Sequence, residues 1–318
     1  MPSPYLLDVD TGIDDALAVA WMATHPEVDL VAATSIFGNV NTRQAARNTC
    51  DLLALLGRGD VPVAAGPDAA MGRRLGEDAA FVHGVNGIGE VELPRAGRDP
   101  EADLTAAEMI VRKAREHEGE LHIVAVGPLT NLGLALQLEP ELPRLVGKVT
   151  TMGGNVLVPG TNSARLDANT ANDIDAAALV YAADWDITMV GLDVTMRNVL
   201  HAEQRARLES DGNRAVSSIG EMLRFYFGFY ETIFGSPQCA LHDPLAAAIA
   251  TGDIVPTVAP KLPTFVDVSD GPEQGSTVVD ARTMWRGFDI EPEDANVRVV
   301  LECGEDFGAL LTERLLEV

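Results

Sequence analysis

The sequence predicts an α/β protein: a mostly parallel central sheet flanked by helices, with a small irregular β region near the C-terminus. Two observations carry this. From Tyr5 to Leu192, short apolar runs alternate with stretches of helical period. The runs are apolar on both faces, as strands of a parallel sheet covered by helices require. In such sheets ligands bind beyond the carboxyl ends of the strands, so functional residues are sought there.

In order, Tyr5–Val9 is predicted as a strand, Asp14–Thr24 as a helix, Val28–Phe37 as a strand, Thr42–Leu56 as a helix and Val61–Ala65 as a strand. Leu104–Glu118 (helix), Leu121–Val126 (strand), Leu129–Leu138 (helix), Lys148–Gly153 (strand), Ile174–Ala183 (helix) and Ile187–Leu192 (strand) continue the alternation. Two segments break it. Gly66–Asp103 is rich in Gly and Pro and too long for an ordinary connection, so it is either disordered or a functional loop. Arg214–Phe234 is helical and holds six of the sixteen Phe, Trp and Tyr residues. A helix from near Pro244, irregular strands over Lys261–Val300 and a closing helix Asp306–Leu316 complete the chain.

With 318 residues, 47% of them hydrophobic, the chain can bury a large core, and one elaborated domain spanning 1–318 is expected. Lys and Arg number 23 against 48 Asp and Glu, a net charge of −25. A surface that acidic repels phosphate backbones and anionic lipid, which argues against nucleic-acid and membrane partners. Cys50, Cys239 and Cys303 are odd in number and far apart, without metal-ligand spacing. The N-terminus lacks the basic and apolar regions of a signal peptide, and no apolar run reaches the roughly 18 residues of a membrane span. A cytoplasmic protein is expected.

The first predicted strand ends in Asp8-Val-Asp10-Thr-Gly-Ile-Asp14-Asp15. Side chains alternate along a strand, so Asp8 and Asp10 share a face. Gly12 permits a sharp turn, and Asp14 and Asp15 open the helix. One Asp at a helix start is ordinarily a cap. Four acids within eight residues repel one another unless a cation or proton offsets them, and a hard divalent ion with oxygen ligands suits the pattern. Far along the chain, Asp243 and Pro244 form a sound helix start, yet capping does not require His242, a side chain suited to donating a proton near neutrality. Val126-Gly-Pro-Leu-Thr-Asn131, Met152-Gly-Gly-Asn155 and Phe37-Gly38-Asn39 follow strands and read either as turns or as ligand loops. The glycines of His83–Gly89 do not match a dinucleotide fingerprint.

Asp8–Ala16, Gly38-Asn39, His83-Gly84 with Gly87 and Gly89, Gly127–Asn131, Met152–Gly154 and His242–Leu245 occur in the order and spacing of inosine–uridine preferring nucleoside hydrolases, which the chain resembles from Leu7 to about Leu245. The pairing of DxDxGxDDA with HDPL is the specific part. The resemblance implies hydrolysis of the N-glycosidic bond of ribonucleosides, a bound Ca²⁺, and a homodimer or homotetramer. Carried over, Asp10, Asp15 and Asp243 would ligate calcium by side chain and Val126 by its carbonyl. Asp10 would also be the general base on a calcium-bound water. Asp14, Asn39 and Asn169 would hold ribose hydroxyls, Met152 would line the sugar pocket, and His242 would stand near the leaving base with Tyr226 or Tyr230. The His83 loop would close over the substrate.

Departures from the family pattern concentrate at one place. Asp167 stands where glutamate is usual and Thr161 where asparagine is usual. That pair would grip the ribose 5′-hydroxyl, so a weaker or displaced 5′ contact is expected, with Arg165 a candidate partner for an anionic 5′ substituent. Two rival readings fit parts of the sequence. A haloacid-dehalogenase reading of Asp8-Val-Asp10 fails because Gly12 occupies the Thr or Val position of that motif. A binding protein that no longer cuts is motivated by Thr161 and Asp167, but every proposed metal ligand and the proposed base are present.

Overall fold

A computed structural model describes residues 2–76, 79–304 and 306–318. Its central sheet is built from β1 (Ser3–Val9), β2 (Val28–Ser35), β3 (Val63–Ala65), β4 (Leu121–Ala125), β5 (Val146–Met152) and β6 (Ile187–Val190). Two short strands, β7 (Val199–His201) and β8 (Gln238–Ala240), pair with each other. In the C-terminal region β9 (Lys261–Leu262) and β12 (Val297–Val300) extend the main sheet, while β10 (Thr264–Val266) and β11 (Thr277–Val279) form a separate ribbon. The main sheet runs β3-β2-β1-β4-β5-β6-β12-β9, parallel throughout except for the β12–β9 edge.

That order places the site. From β1 the chain winds outward to β2 and β3, then returns to add β4 on the other side of β1. Successive connections therefore leave in opposite directions at β1 and β4, and a crevice opens beyond their carboxyl ends. Asp10 follows β1 and Val126 follows β4.

Each face of the sheet buries its own core. Tyr5, Leu7 and Val9 of β1 pack into one, with helices Ile13–Thr24, Thr42–Leu55, Arg214–Phe234, His242–Thr251 and Phe307–Leu315. Leu6 points into the other, with helices Ala106–Glu116, Thr130–Leu138 and Ile174–Ala182. This is the two-residue alternation of a strand covered on both faces.

Predicted ends shift by one or two residues where capping decides them. The Thr105 hydroxyl accepts from the Glu108 amide while the Glu108 carboxylate accepts from the Thr105 amide, so the helix begins at Ala106 and not at Leu104. Gly235, with φ of 66°, ends the aromatic helix at Phe234 as expected. Helices Leu142–Leu145, Ala168–Asn172, Leu192–Thr195 and Ala202–Glu209, with β7 and β8, are absent from the sequence reading. Most are shorter than the window in which a period shows.

Gly66–Asp103 is a loop tied down by side chains. Arg73 pairs with Asp175 and Arg95 with Asp51, and a one-turn helix, Ala80–His83, reaches the crevice. No helix among the described residues is long and apolar enough to cross a membrane.

Candidate active site

Asp8, Asp10, Asp14, Asp15 and Asp243 are all buried together at the carboxyl end of β1. Backbone amides hold them. Asp15 accepts from the Asp10 amide at 3.1 Å and the Gly12 amide at 2.8 Å, satisfying donors that a helix start leaves open. Asp10 Oδ2 accepts from the Asn39 amide at 2.7 Å, and Asn39 Nδ2 donates to Asp15 at 2.9 Å. Two glycines make room for Asp10. A Cβ on Gly38 would lie 2.0 Å from Asp10 Oδ2, and one on Gly127 would lie 2.8 Å from Asp10 Oδ1. Only glycine fits at both positions.

This arrangement is electrostatically unfavourable by itself. Burial raises the pKa of all five carboxyls, Asp8 and Asp14 to about 7, and the charge of Asp15 raises Asp10, Asp14 and Asp8 further. One oxygen each from Asp14, Asp15 and Asp243 lies within 4.8 Å of the others. Asp10 Oδ1 and Asp14 Oδ1 are buried without a hydrogen-bond partner. Orphaned carboxylate oxygens in an all-oxygen, like-charged cluster fit a hard divalent cation. The closest trio includes Asp14, which the resemblance gave to the sugar, in place of Asp10. Asp14 and Asp243 line the cleft, whereas Asp10 and Asp15 back them.

Asp8 takes no part in the cleft surface. Its Oδ1 accepts from Thr34 at 2.6 Å and from Asn131 at 2.7 Å, binding β1 to its two neighbouring segments. Asn169 Nδ2 donates to the Val126 carbonyl at 2.6 Å and to the Met152 carbonyl at 3.1 Å, so one amide fixes the ends of β4 and β5. Asp167 caps the helix Ala168–Asn172 through Oδ1, which accepts from the Asn169 and Thr170 amides; its Oδ2 is buried and unpartnered. Thr161 Oγ1 accepts from the Ala168 amide. Val126, Met152, Thr161, Asp167 and Asn169 all line the cleft with Asn39. Arg165 does not. It pairs with Glu273 at 3.1 Å on the outer side of its loop, because a turn over Ser163–Leu166 directs it away from the cleft.

The opposite end of the cleft is aromatic. Tyr226, with Phe229 and Tyr230 three and four residues further on, lies on one face of Arg214–Phe234, and the three line it with Phe81, Val82 and His83. His83 Nδ1 accepts from the Ile13 amide at 3.1 Å, and its ring packs against Tyr226 with centroids 5.5 Å apart. His242 is held on both sides: Nε2 lies 2.6 Å from the Tyr230 hydroxyl and Nδ1 lies 2.8 Å from Thr195 Oγ1. Burial lowers the pKa of His242 to about 4 and of His83 to about 3, so both are neutral near pH 7.

Every residue singled out from the sequence therefore converges on this region, Arg165 excepted. Sequence reasoning missed Phe81, Phe229, Asn172, Leu192 and Thr195. Phe229 was legible, three residues after Tyr226. Leu192 and Thr195 lie in a single-turn helix that leaves no periodic trace.

The sequence profile of inosine-uridine preferring nucleoside hydrolases matches residues 5–307. "Probable uridine nucleosidase 2" of Arabidopsis thaliana is 36% identical over 240 residues, 75% of this chain and 74% of that one. "Pyrimidine-specific ribonucleoside hydrolase RihA" of Citrobacter koseri is 33% identical over 323 aligned positions, covering 99% of this chain and 98% of its own. The solved structure of a purine-preferring ribonucleoside hydrolase from Gardnerella vaginalis superposes with a TM-score of 0.89 at 31% identity, covering 98% of each chain. With the acid cluster seated at the β1–β4 crevice and the profile match running almost end to end, the chain belongs to the inosine-uridine preferring nucleoside hydrolase family and is an N-glycosyl hydrolase.

Proposed function

We propose that the chain hydrolyses ribonucleosides to free base and ribose with the help of Ca²⁺, Asp10 serving as general base. One observation carries this reading: a single cleft has buried carboxylates at one end and a hydroxyl–imidazole pair among aromatic rings at the other. Asp10, Asp15 and Asp243, with the Val126 carbonyl, would hold the ion, and Asp14 adjoins them. When bound, such an ion supplies Lewis acidity toward water and the sugar hydroxyls.

The protein's own groups do the rest. Asp10 Oδ1, the orphaned oxygen, accepts the proton of the attacking water. Asp14, Asn39 and Asn169 hold the ribose hydroxyls and Met152 packs against the sugar. Anionic side chains beneath C1′ stabilise the positive charge of an oxocarbenium-like transition state. His242 and Tyr230 face the departing base, and Tyr226, Phe229 and Phe81 give its ring apolar surface, with His83 beside them. Thr161 and Asp167 meet the 5′ end. Both already serve backbone amides, which supports a weak 5′ contact. The same reading carries a cytoplasmic homodimer or homotetramer folded as one domain.

Release of free ribose from a panel of uridine, cytidine, inosine and adenosine in the presence of calcium tests the reading, beside Asp10→Ala. Release that vanishes in the variant supports it and ranks the bases. Calcium binding without release from any member would leave a binder of nucleosides and overturn it.

A further inference from the structure

We propose that Thr195 is a positioning residue: it fixes His242 as the tautomer protonated on Nε2, which turns the Tyr230 hydroxyl proton toward the cleft. The Thr195 side chain is fully buried. Among the described residues, its hydroxyl has one hydrogen-bond partner, His242 Nδ1 at 2.8 Å. A buried hydroxyl whose proton finds no acceptor loses free energy. The Thr195 proton therefore goes to Nδ1, which must be bare to accept it.

The rest follows along the chain of contacts. Among the described residues, no carboxylate lies within ion-pair distance of His242, and both its ring nitrogens face hydroxyls. A neutral imidazole with Nδ1 bare carries its proton on Nε2. Nε2–H then donates to the Tyr230 oxygen at 2.6 Å. With its oxygen accepting from His242, Tyr230 turns its own O–H away from the ring, and Tyr230 lines the cleft. Donors in series polarise one another, so Tyr230 becomes a stronger donor than an isolated tyrosine. It can then hydrogen-bond an acceptor atom on the leaving base, where negative charge gathers as the glycosidic bond lengthens. In the other tautomer Tyr230 would point its proton back at His242, and the cleft would lose that donor.

The tautomer itself is independent of the hydrolase reading; its catalytic consequence rests on that reading. Nitrogen-15 NMR of histidine-labelled protein tests the first, with the His242 signals assigned by their loss in His242→Gln. Nδ1 is expected at the shift of a bare ring nitrogen and Nε2 at that of a protonated one. Thr195→Val, which keeps the shape and removes the hydroxyl, is expected to mix or invert the two, and Thr195→Ser to retain them. A protonated Nδ1 in the unaltered protein overturns the proposal.

Kinetics test the second. Thr195→Val is expected to lower kcat on nucleosides about tenfold, less than removal of a direct donor, with KM little changed and Thr195→Ser restoring the rate. A nitrophenyl riboside, whose leaving group departs without a donor, is expected to react within about twofold of the unaltered rate. An equal fall on both substrates would mark Thr195 as merely structural and overturn the catalytic consequence. Turnover of neither substrate by the unaltered protein would sink the hydrolase reading, while the nitrogen shifts still decide the tautomer.

Discussion

The two ends of the cleft are held by different means. At the acid end, Asp10 and Asp15 are fixed mainly by backbone: amides of Asp10, Gly12 and Asn39 grip them, with the Asn39 side chain added on Asp15, and Gly38 and Gly127 let the chain close around Asp10. At the aromatic end, His83 takes a backbone amide, but around His242 side chains hold side chains, with Thr195, His242 and Tyr230 in series across three helices. Groups fixed by backbone stay in place as the substrate changes. A set of rings and hydroxyls can be rearranged by single substitutions, so the proposed function puts selectivity for the base at that end and the common chemistry at C1′ at the other.

The largest effect sought is at the acid end. Asp10→Asn keeps the shape and the Asn39 contact but removes the proposed base, and kcat is expected to fall about 10³-fold on every nucleoside with KM little moved. A loss confined to some bases would break the division. Gly38→Ala should be next, because its Cβ displaces the Asp10 carboxylate; shifting a reacting group by about 1 Å costs about 100-fold. Wild-type rates in that variant would show that the close approach is dispensable. Tyr230→Phe acts at the opposite end, with about a 100-fold fall expected for poor leaving bases and little change for a nitrophenyl riboside. Equal losses on both substrates would contradict the assignment.

A smaller effect separates the ends by pH. Asp8 and Asp14 rise from an ordinary value of 3.8 to about 7 in the folded chain, so that chain binds more protons than the unfolded one. The stability this provides is complete below the unfolded value and is lost as pH climbs through the folded one. In chelator, the Tm is therefore expected to fall as pH rises from about 5 to about 7.5, and calcium should flatten the fall by replacing the protons. A Tm that climbs over this interval would contradict the charge accounting. Smallest of all is Arg165→Ala: its exposed pair with Glu273 predicts unchanged turnover of plain nucleosides, read by kcat/KM. A clear loss would return Arg165 to the 5′ end.

The same contrast decides what the sequence made legible. Asp8 through Asp15 announces itself because its neighbours in space are neighbours in the chain, and the strand's alternation places Asp8 and Asp10 on one face. Strands up to β6 followed from runs apolar on both faces, and Arg214–Phe234 stood out as a helical stretch dense in aromatic residues. Thr195 and Tyr230 reach His242 from 47 and 12 residues away, and no local pattern encodes that meeting. The closeness of Asp14 and Asp15 to Asp243 is hidden for a similar reason: Asp243 approaches them from the far end of the chain. Arg165, offered by the sequence only as a candidate for the 5′ end, faces Glu273 because a turn of four residues reverses its direction, which composition does not reveal.

Gly38 and Gly127 also set how this gene can vary. Every single-base change in a glycine codon that alters the residue introduces either a side chain with a Cβ or a stop, and both positions meet Asp10 at Cβ distance. No one-step replacement of either residue therefore leaves the Asp10 carboxylate undisturbed. In the proposed reading, variation that changes which nucleosides are taken enters more freely through codons for residues such as Phe81 and Phe229, whose side chains line the cleft.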